Sequence, residues 1–233
     1  MEIAEPHAWD VTPKEAAAIQ RDMRGRVSLI DAIAVEDIRV VVGVDNTYRK
    51  QVKRTTAYAV VVALDFATME VIETSFAVRE VGFPYVPGLL SFREAPAILD
   101  AFWGLKAVPD VVLFDGQGIA HPRRIGLASH LGVVLDRPSI GCAKSKLVGE
   151  FEEPERVFGA QTPLMHRDEQ VGVALRTRPR HAPLFVSPGH KLSIPTAVEI
   201  VLRCCRDERF MPEPTRLAHE LVTGFAREEA GDR

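Results

Sequence analysis

Hydrophobic and polar positions along the 233 residues fall into short segments whose patterns predict the elements. A helix is predicted over 13–23, where Thr12 can cap, Pro13 fits the first turn and Glu15 completes a capping box. Arg24 and Arg26 around Gly25 suit its C-terminal end. The strongly apolar run RVVVGVDNTY at 39–48 reads as a central strand. Two β-branched segments follow, 55–64 and 70–79, with a joint short enough for a hairpin, so an antiparallel meander of three strands opens the sheet. PYVPG at 84–88 is a rigid loop of two prolines and a glycine, after which Ser91 caps a helix running to about residue 105. Residues 109–118 predict a strand ending in a tight glycine turn, 124–135 a helix and 138–143 a short strand. The stretch 150–165 is poorly periodic. Strands at 170–175 and 183–186 and helices at 195–206 and 214–227 complete the chain. Three antiparallel strands followed by helix, strand, helix, strand describe a mixed α/β sheet flanked by helices, in a single domain over 1–233.

Composition narrows the class. Hydrophobic residues make up 46% and charged residues 26%, an ordinary globular balance, and every apolar run breaks off before the roughly 18 to 20 residues of a membrane span. The first ten residues lack a basic region followed by an apolar stretch, so no signal peptide is read there. Cys142, Cys204 and Cys205 form neither a disulfide framework nor a C-x-x-C pair, which suits a reducing cytoplasm. Net charge is −3, but its distribution is uneven. Residues 176–191 carry four Arg or Lys, two His and no acid, and 120–149 carry five Arg or Lys against Asp136 alone. Both are candidate phosphate-facing surfaces, and both patterns also occur on solvated faces without function.

Asp45 stands where an apolar strand leaves the sheet, and VVLF delivers Asp115 into Gly116-Gln117-Gly118 in the same way. Each alone can be a turn residue. If the two strands are neighbours with aligned C-terminal ends, both carboxylates meet at one edge, where a cation or a shared proton must relieve their repulsion. Carboxylate oxygens suit hard Mg²⁺. Glu94 is a third candidate, although Ser91 to Glu94 also reads as a capping box. His121 is either a loop histidine or a group that orients water or meets phosphate, with Arg123 and Arg124 close by to steer a backbone. Lys144 and Lys146 leave another strand-like run, either solvated or facing the scissile phosphate. His219 shares a face with Arg216 on the last helix. Tyr85 is presented on its stiff loop, to stack on a base or to staple the loop down. No ATP-binding, dinucleotide-binding or Ser-hydrolase motif is present, and Cys142 reads as a small buried residue.

Six blocks in order carry a resemblance: GVDNTY at 43–48, PYVPGLLSFRE at 84–94, DGQGIAHPRRIGLASHLG at 115–132, IGCAKSKL at 140–147, VSPGHKLS at 186–193 and PEPTRLAH at 212–219. Together they closely resemble the endonuclease V family of deoxyinosine-directed repair nucleases, over about 12–227. The resemblance implies a ribonuclease H-like fold and a Mg²⁺-dependent endonuclease, with Mn²⁺ a substitute. It implies a nick at the second phosphodiester bond 3′ to hypoxanthine, leaving 3′-hydroxyl and 5′-phosphate ends. By the same resemblance Asp45, Asp115 and Glu94 are the metal and catalytic carboxylates, and His121, Lys144 and His219 support the phosphate. Tyr85, with Pro84 and Gly88, forms the wedge, and Gly116 and Gly118 belong to the pocket for the flipped base. The expected partner is DNA containing deoxyinosine, with inosine in RNA as a second substrate, no membrane, and a monomeric state. A different ribonuclease H-like nuclease and a non-catalytic nucleic-acid-binding module are the alternatives.

Overall fold

Runs such as Val-Val-Val are apolar at consecutive positions because both faces of their sheet are covered. The computed structural model describes residues 6–52, 54–206 and 209–229. Its strands are β1 (Val40–Lys50), β2 (Thr55–Asp65), β3 (Val71–Glu80), β4 (Val111–Phe114), β5 (Ser139–Ala143), β6 (Gln161–His166), β7 (Glu169–Leu175) and β8 (Leu184–His190). They form one eight-stranded sheet in the order β3-β2-β1-β4-β5-β8-β7-β6. The predicted meander is present, β4 and β5 add parallel to β1, and the last three strands pair antiparallel.

Helices α1 (Pro13–Arg24), α2 (Leu90–Gly104) and α3 (Leu127–Leu135) cover one face, and α4 (Ile194–Arg203) and α5 (Glu213–Glu229) the other. The period of two sorts the strands between them. Val42, Val44, Val112 and Phe114 pack with Ile98, Phe102 and Leu131 on the first side, while Val41, Val111, Leu113, Ile140 and Cys142 pack with Ala218 and Val222 on the second. Gly43 lets α5 approach β1 closely, since a Cβ there would run into the Pro214 carbonyl. The capping box of α1 is formed as expected, Glu15 Oε2 accepting from Thr12 N at 2.8 Å. No helix among the described residues is long and apolar enough to cross a membrane.

Several expectations are corrected. Asp45 does not end its strand: β1 continues to Lys50, paired on one side with β2 after β4 has stopped at Phe114. Ser91 does not cap α2, whose N-cap is Leu89 and carries no side-chain cap bond. The Ser91 hydroxyl lies inside the helix and meets His130 Nδ1 at 2.8 Å instead. α3 starts three residues later than expected, because Arg124 has φ 59° and a turn precedes Gly126. α4 ends at Arg203, with Cys204 as its C-cap. Strand β8 extends beyond 186 to His190, and the poorly periodic stretch contains edge strand β6, whose burial lacks an alternating core face. The basic stretch 176–191 is only partly open, with Arg178, Arg180 and His181 exposed and two of its members withdrawn. Arg176 is buried, bonded to the Glu153 carboxylate and the Pro154 carbonyl, and His190 is buried beside Asp136.

Candidate metal centre and adjoining pocket

Strand register places the charged residues. β1 and β4 run parallel with Val44 beside Phe114, so the next residues, Asp45 and Asp115, are neighbours. Both follow the odd positions that face α5, as Val41 and Val111 do. Lys144, just beyond β5, continues the parity of Ile140 and Cys142 to the same side, and its Nζ lies 2.7 Å from Asp115 Oδ2. From α5, His219 Nδ1 meets Asp45 Oδ2 at 2.8 Å. One ligand atom from each of Asp45, Asp115 and His219 lies within 4.8 Å of the others.

Even positions of β1 face α2, and they meet Glu94. Because β4 has ended, nothing separates the two faces here, and Glu94 feels the field of both aspartates from the α2 side. Its carboxyl is buried and pushed up to about 8, first by loss of water and then by repulsion from Asp45. Asp45 is also raised, by burial and by Asp115, against the opposing pull of His219 and of the Asn46 amide, which donates to Asp45 Oδ1 at 2.8 Å. Asn46 and Tyr48 are buried against Glu94, and hydrogen bonding from both pulls its proton affinity partly back down, although the geometry at Asn46 Nδ2 and Tyr48 OH is poor. Carboxylates crowded in this way are a frustrated arrangement for the chain alone. Oxygen donors with one imidazole fit a hard divalent cation such as Mg²⁺ or Mn²⁺ and offer no thiolate for softer metals. Asp45, Asp115 and His219 would hold such an ion, with Glu94 on the other side of Asp45.

Of the remaining candidates, Tyr85, Gly88 and His121 line a second hollow, while Pro84, Gly116, Gly118, Arg123 and Arg124 do not. The segments carrying Glu94, Asp115 and Lys144 also line a pocket of about 130 Å³, whose walls include Tyr85, Gly88, Gln117, His121, Leu127 and Leu147. Tyr85 is 73% exposed, as its loop position suggested. Gly88 has φ +77°, a conformation glycine adopts readily. Its carbonyl accepts from His121 Nε2 at 2.9 Å and Arg123 Nη2 at 2.6 Å. His121 Nδ1 accepts from the Arg123 amide at 3.2 Å, so both ring nitrogens are engaged within the chain. Burial and Arg123 hold this imidazole down at about 4, in its neutral form. Gly118 packs so closely on β8 that a Cβ would enter the Pro188 carbonyl, and Gly116 packs against Leu127. Arg124 bonds Glu169 and His166, Lys146 lies over the Phe151 ring, and Arg216 pairs with Glu213 and Glu220. Pro84 is on the exposed loop with Tyr85.

Residues not singled out from the sequence tie this region together. Gln20 Oε1 accepts from Arg123 Nε at 2.6 Å, and Gln20 Nε2 reaches Ser91 Oγ at 3.5 Å. Ser91 meets the fully buried His130, whose other nitrogen meets His7 at 2.7 Å. Only pairwise proximity reveals such a chain, and no motif announces it. A larger hollow of about 270 Å³ beside α2 has its cations committed, Arg79 to Asp100 and Arg93 to the Phe83 carbonyl.

An antiparallel meander running into parallel strands, with two aspartates where the central strands part, defines a ribonuclease H-like protein with a carboxylate cation site. The family model described as Endonuclease V matches residues 21–220. An Endonuclease V of Trichormus variabilis is 48% identical over 223 residues, 96% of this chain and 99% of the relative. Another, of Methanothrix thermoacetophila, is 50% identical over 221 residues, 95% of each. The Bacillus subtilis Endonuclease_V crystal structure superposes with a TM-score of 0.95 at 31% identity over the whole of both chains. Ciona intestinalis Endonuclease V, solved with a 24mer DNA containing an inosine followed by a ribo-adenosine, gives 0.79 at 27% identity, covering 92% of this chain and 98% of that one. The chain belongs to the endonuclease V family.

Proposed function

We propose that this protein is a Mg²⁺-dependent endonuclease that recognises deoxyinosine in DNA and hydrolyses the second phosphodiester bond on its 3′ side, leaving 3′-hydroxyl and 5′-phosphate ends. One observation carries this reading: the segments that deliver Asp115, Lys144 and Glu94 to the metal centre also wall the pocket beside it. Family membership and the inosine-containing DNA of the Ciona relative support the choice of base.

A bound Mg²⁺, or Mn²⁺ in its place, supplies an activated water and stabilises the leaving 3′-oxygen. Asp45 and Asp115 on adjacent strands, with His219 from α5, would hold the ion. Glu94, on the α2 side, would orient the attacking water and take its proton once a bound cation offsets the Asp45 charge and leaves this carboxyl ionised. Lys144 is held by Asp115 until a phosphate arrives, then neutralises charge on the phosphorus centre. Tyr85 fills the gap left when the base turns into the pocket walled by Gly88, Gln117 and Leu127. His121 acts through the loop: its bond to the Gly88 carbonyl fixes the point from which Tyr85 projects. A poorly paired base such as hypoxanthine is the least costly to extract. The protein works as a monomer in the cytoplasm on this reading.

The test is end-labelled duplex DNA with one central deoxyinosine, with Mg²⁺ and with EDTA, beside an undamaged duplex and Asp45→Ala. A Mg²⁺-dependent nick at the second bond, absent in the variant, is expected. Cleavage indifferent to inosine would keep the metal centre and remove the lesion assignment. Binding without cleavage would favour a non-catalytic module. A parallel substrate with a ribonucleotide 3′ to the inosine measures the RNA alternative, which the ribo-adenosine of the Ciona complex makes worth testing.

A further inference from the structure

Arg123 is a half-buried arginine that pairs with no carboxylate among the described residues, and two of its donors go to neutral acceptors. Nη2 donates to the Gly88 carbonyl at 2.6 Å, and Nε donates to Gln20 Oε1, also at 2.6 Å. Gln20 is itself held. It is buried on α1, and its Nε2 reaches the Ile125 carbonyl at 3.4 Å and Ser91 Oγ at 3.5 Å. A carbonyl accepts from the NH₂ end alone, so Gln20 turns its oxygen to Arg123. The approach to Gly88 is close, since a Cβ there would stand 2.9 Å from Nη2. His121 Nε2 meets the same carbonyl at 2.9 Å. The loop held in this way is otherwise in solvent at Pro84, Tyr85 and Pro87. Its other end is tied by Arg93, whose Nη1 donates to the Phe83 carbonyl at 2.6 Å.

We propose that Arg123 is a positioning residue for lesion extrusion: backed by Gln20, it clamps the Gly88 carbonyl and so fixes the point from which Tyr85 enters the duplex. The inference rests on the deoxyinosine reading above and deepens it. Pro84 and Pro87 stiffen the loop, so its direction is set at its two ends. A guanidinium presents Nε and Nη2 in a fixed planar fork, so holding Gln20 and Gly88 together orders the loop before DNA arrives. A charged donor makes the stronger hydrogen bond, and here no acid among the described residues competes for it. Without the clamp the loop is ordered only as the duplex binds, at the expense of affinity. This role differs from a direct grip on phosphate, the other task open to an arginine beside the site. A loop clamp matters only while Tyr85 has a gap to fill, whereas a phosphate grip matters on any strand.

The experiment is a double-mutant cycle between Arg123→Met and Tyr85→Ala, read as KM on a duplex and on a single strand carrying the same deoxyinosine. Arg123→Met keeps an unbranched stem and removes the donors. It is expected to raise KM on the duplex about fivefold, the cost of ordering roughly one residue of backbone on binding. Its kcat, and its KM on the single strand, should stay within about twofold of wild type, because the metal centre is untouched. In the Tyr85→Ala background the same substitution should change the duplex KM by less than about twofold. A rise that persists without Tyr85, or that is equal on duplex and single strand, would overturn the proposal in favour of direct contact with DNA. An unchanged duplex KM in Arg123→Met would overturn it outright. Should that variant not fold, Gln20→Leu carries the same cycle under the same criteria, since a side chain only 1% exposed acts on the loop through Arg123. A wild-type protein that does not prefer deoxyinosine to undamaged DNA would instead remove the underlying reading, a result visible before any variant is made.

Discussion

Two buried clusters of ionisable groups flank the first turns of α2, and burial has shifted them in opposite directions. On the loop side, His121 and His130 are pushed down to about 4 and about 3, and each has partners for both ring nitrogens. On the strand side, Glu94 is raised to about 8 and Asp45 is raised as well, and poorly aligned donors at Asn46 and Tyr48 offset this only in part. The histidine cluster is complete as it stands, neutral and satisfied. The carboxylate cluster is incomplete, since its charges repel and, among the described residues, Lys144 alone pairs with Asp115 as a salt bridge. Complete polar networks hold a structure in place, whereas incomplete ones mark where something else binds.

The sharpest way to break this contrast is to empty the incomplete side. Asp115→Asn should reduce cleavage of the deoxyinosine duplex on the order of a thousandfold or more, measured by single-turnover kinetics. The same variant should be no less stable than wild type in EDTA, because it relieves repulsion with Asp45. A middle effect is expected from Gly43→Ala. A Cβ would strike the Pro214 carbonyl, so α5 must move and carry His219 away from Asp45. Denaturant unfolding should show a loss of about 1–3 kcal/mol, with cleavage falling alongside it. The smallest change is expected from Tyr85→Ala, whose side chain is mostly in solvent. Stability should stay within about 0.5 kcal/mol. The KM for a duplex lesion should rise about tenfold, and that for the same lesion in single-stranded DNA much less, since no gap needs filling there.

Much of this was legible in the sequence, and the exceptions are instructive. Apolar runs leading to Asp45 and Asp115 made the pair a candidate site only on the condition that their strands were neighbours, and the observed register meets that condition. Ser91 was misread because a capping box and an interior helical turn look alike in sequence. The difference lies in His130, 39 residues away, which holds the hydroxyl. That correction removes the capping explanation for Glu94 and leaves its burial beside Asp45 to be explained by the metal centre. Arg176 looked like part of a basic surface, yet its guanidinium closes on the Glu153 carboxylate and nearby carbonyls. Edge strand β6 gave no periodic signal because it buries almost nothing, and Pro163 within it suits an edge. Local pattern reports one element at a time, while these features depend on pairs far apart in the chain.

The central claim is that the carboxylate cluster is a cation site, and thermal unfolding against pH tests it most directly. Glu94, raised to about 8 from 4.5, keeps in the folded state a proton that the unfolded chain releases. Its contribution is therefore lost as pH rises from about 4.5 to about 8. His121 and His130, lowered from 6.5, refuse a proton that the unfolded chain accepts, so their contribution is lost as pH falls below about 6.5. The two windows overlap between them, which leaves pH 6.5 to 8 to the carboxylates alone. In EDTA the Tm should decline across that interval. Mg²⁺ or Mn²⁺ should cancel the decline, with a gain that grows with pH and is absent in Asp115→Asn, while the acid side stays the same with and without metal. An alkaline decline identical in metal and EDTA would contradict the assignment of this cluster as a metal centre.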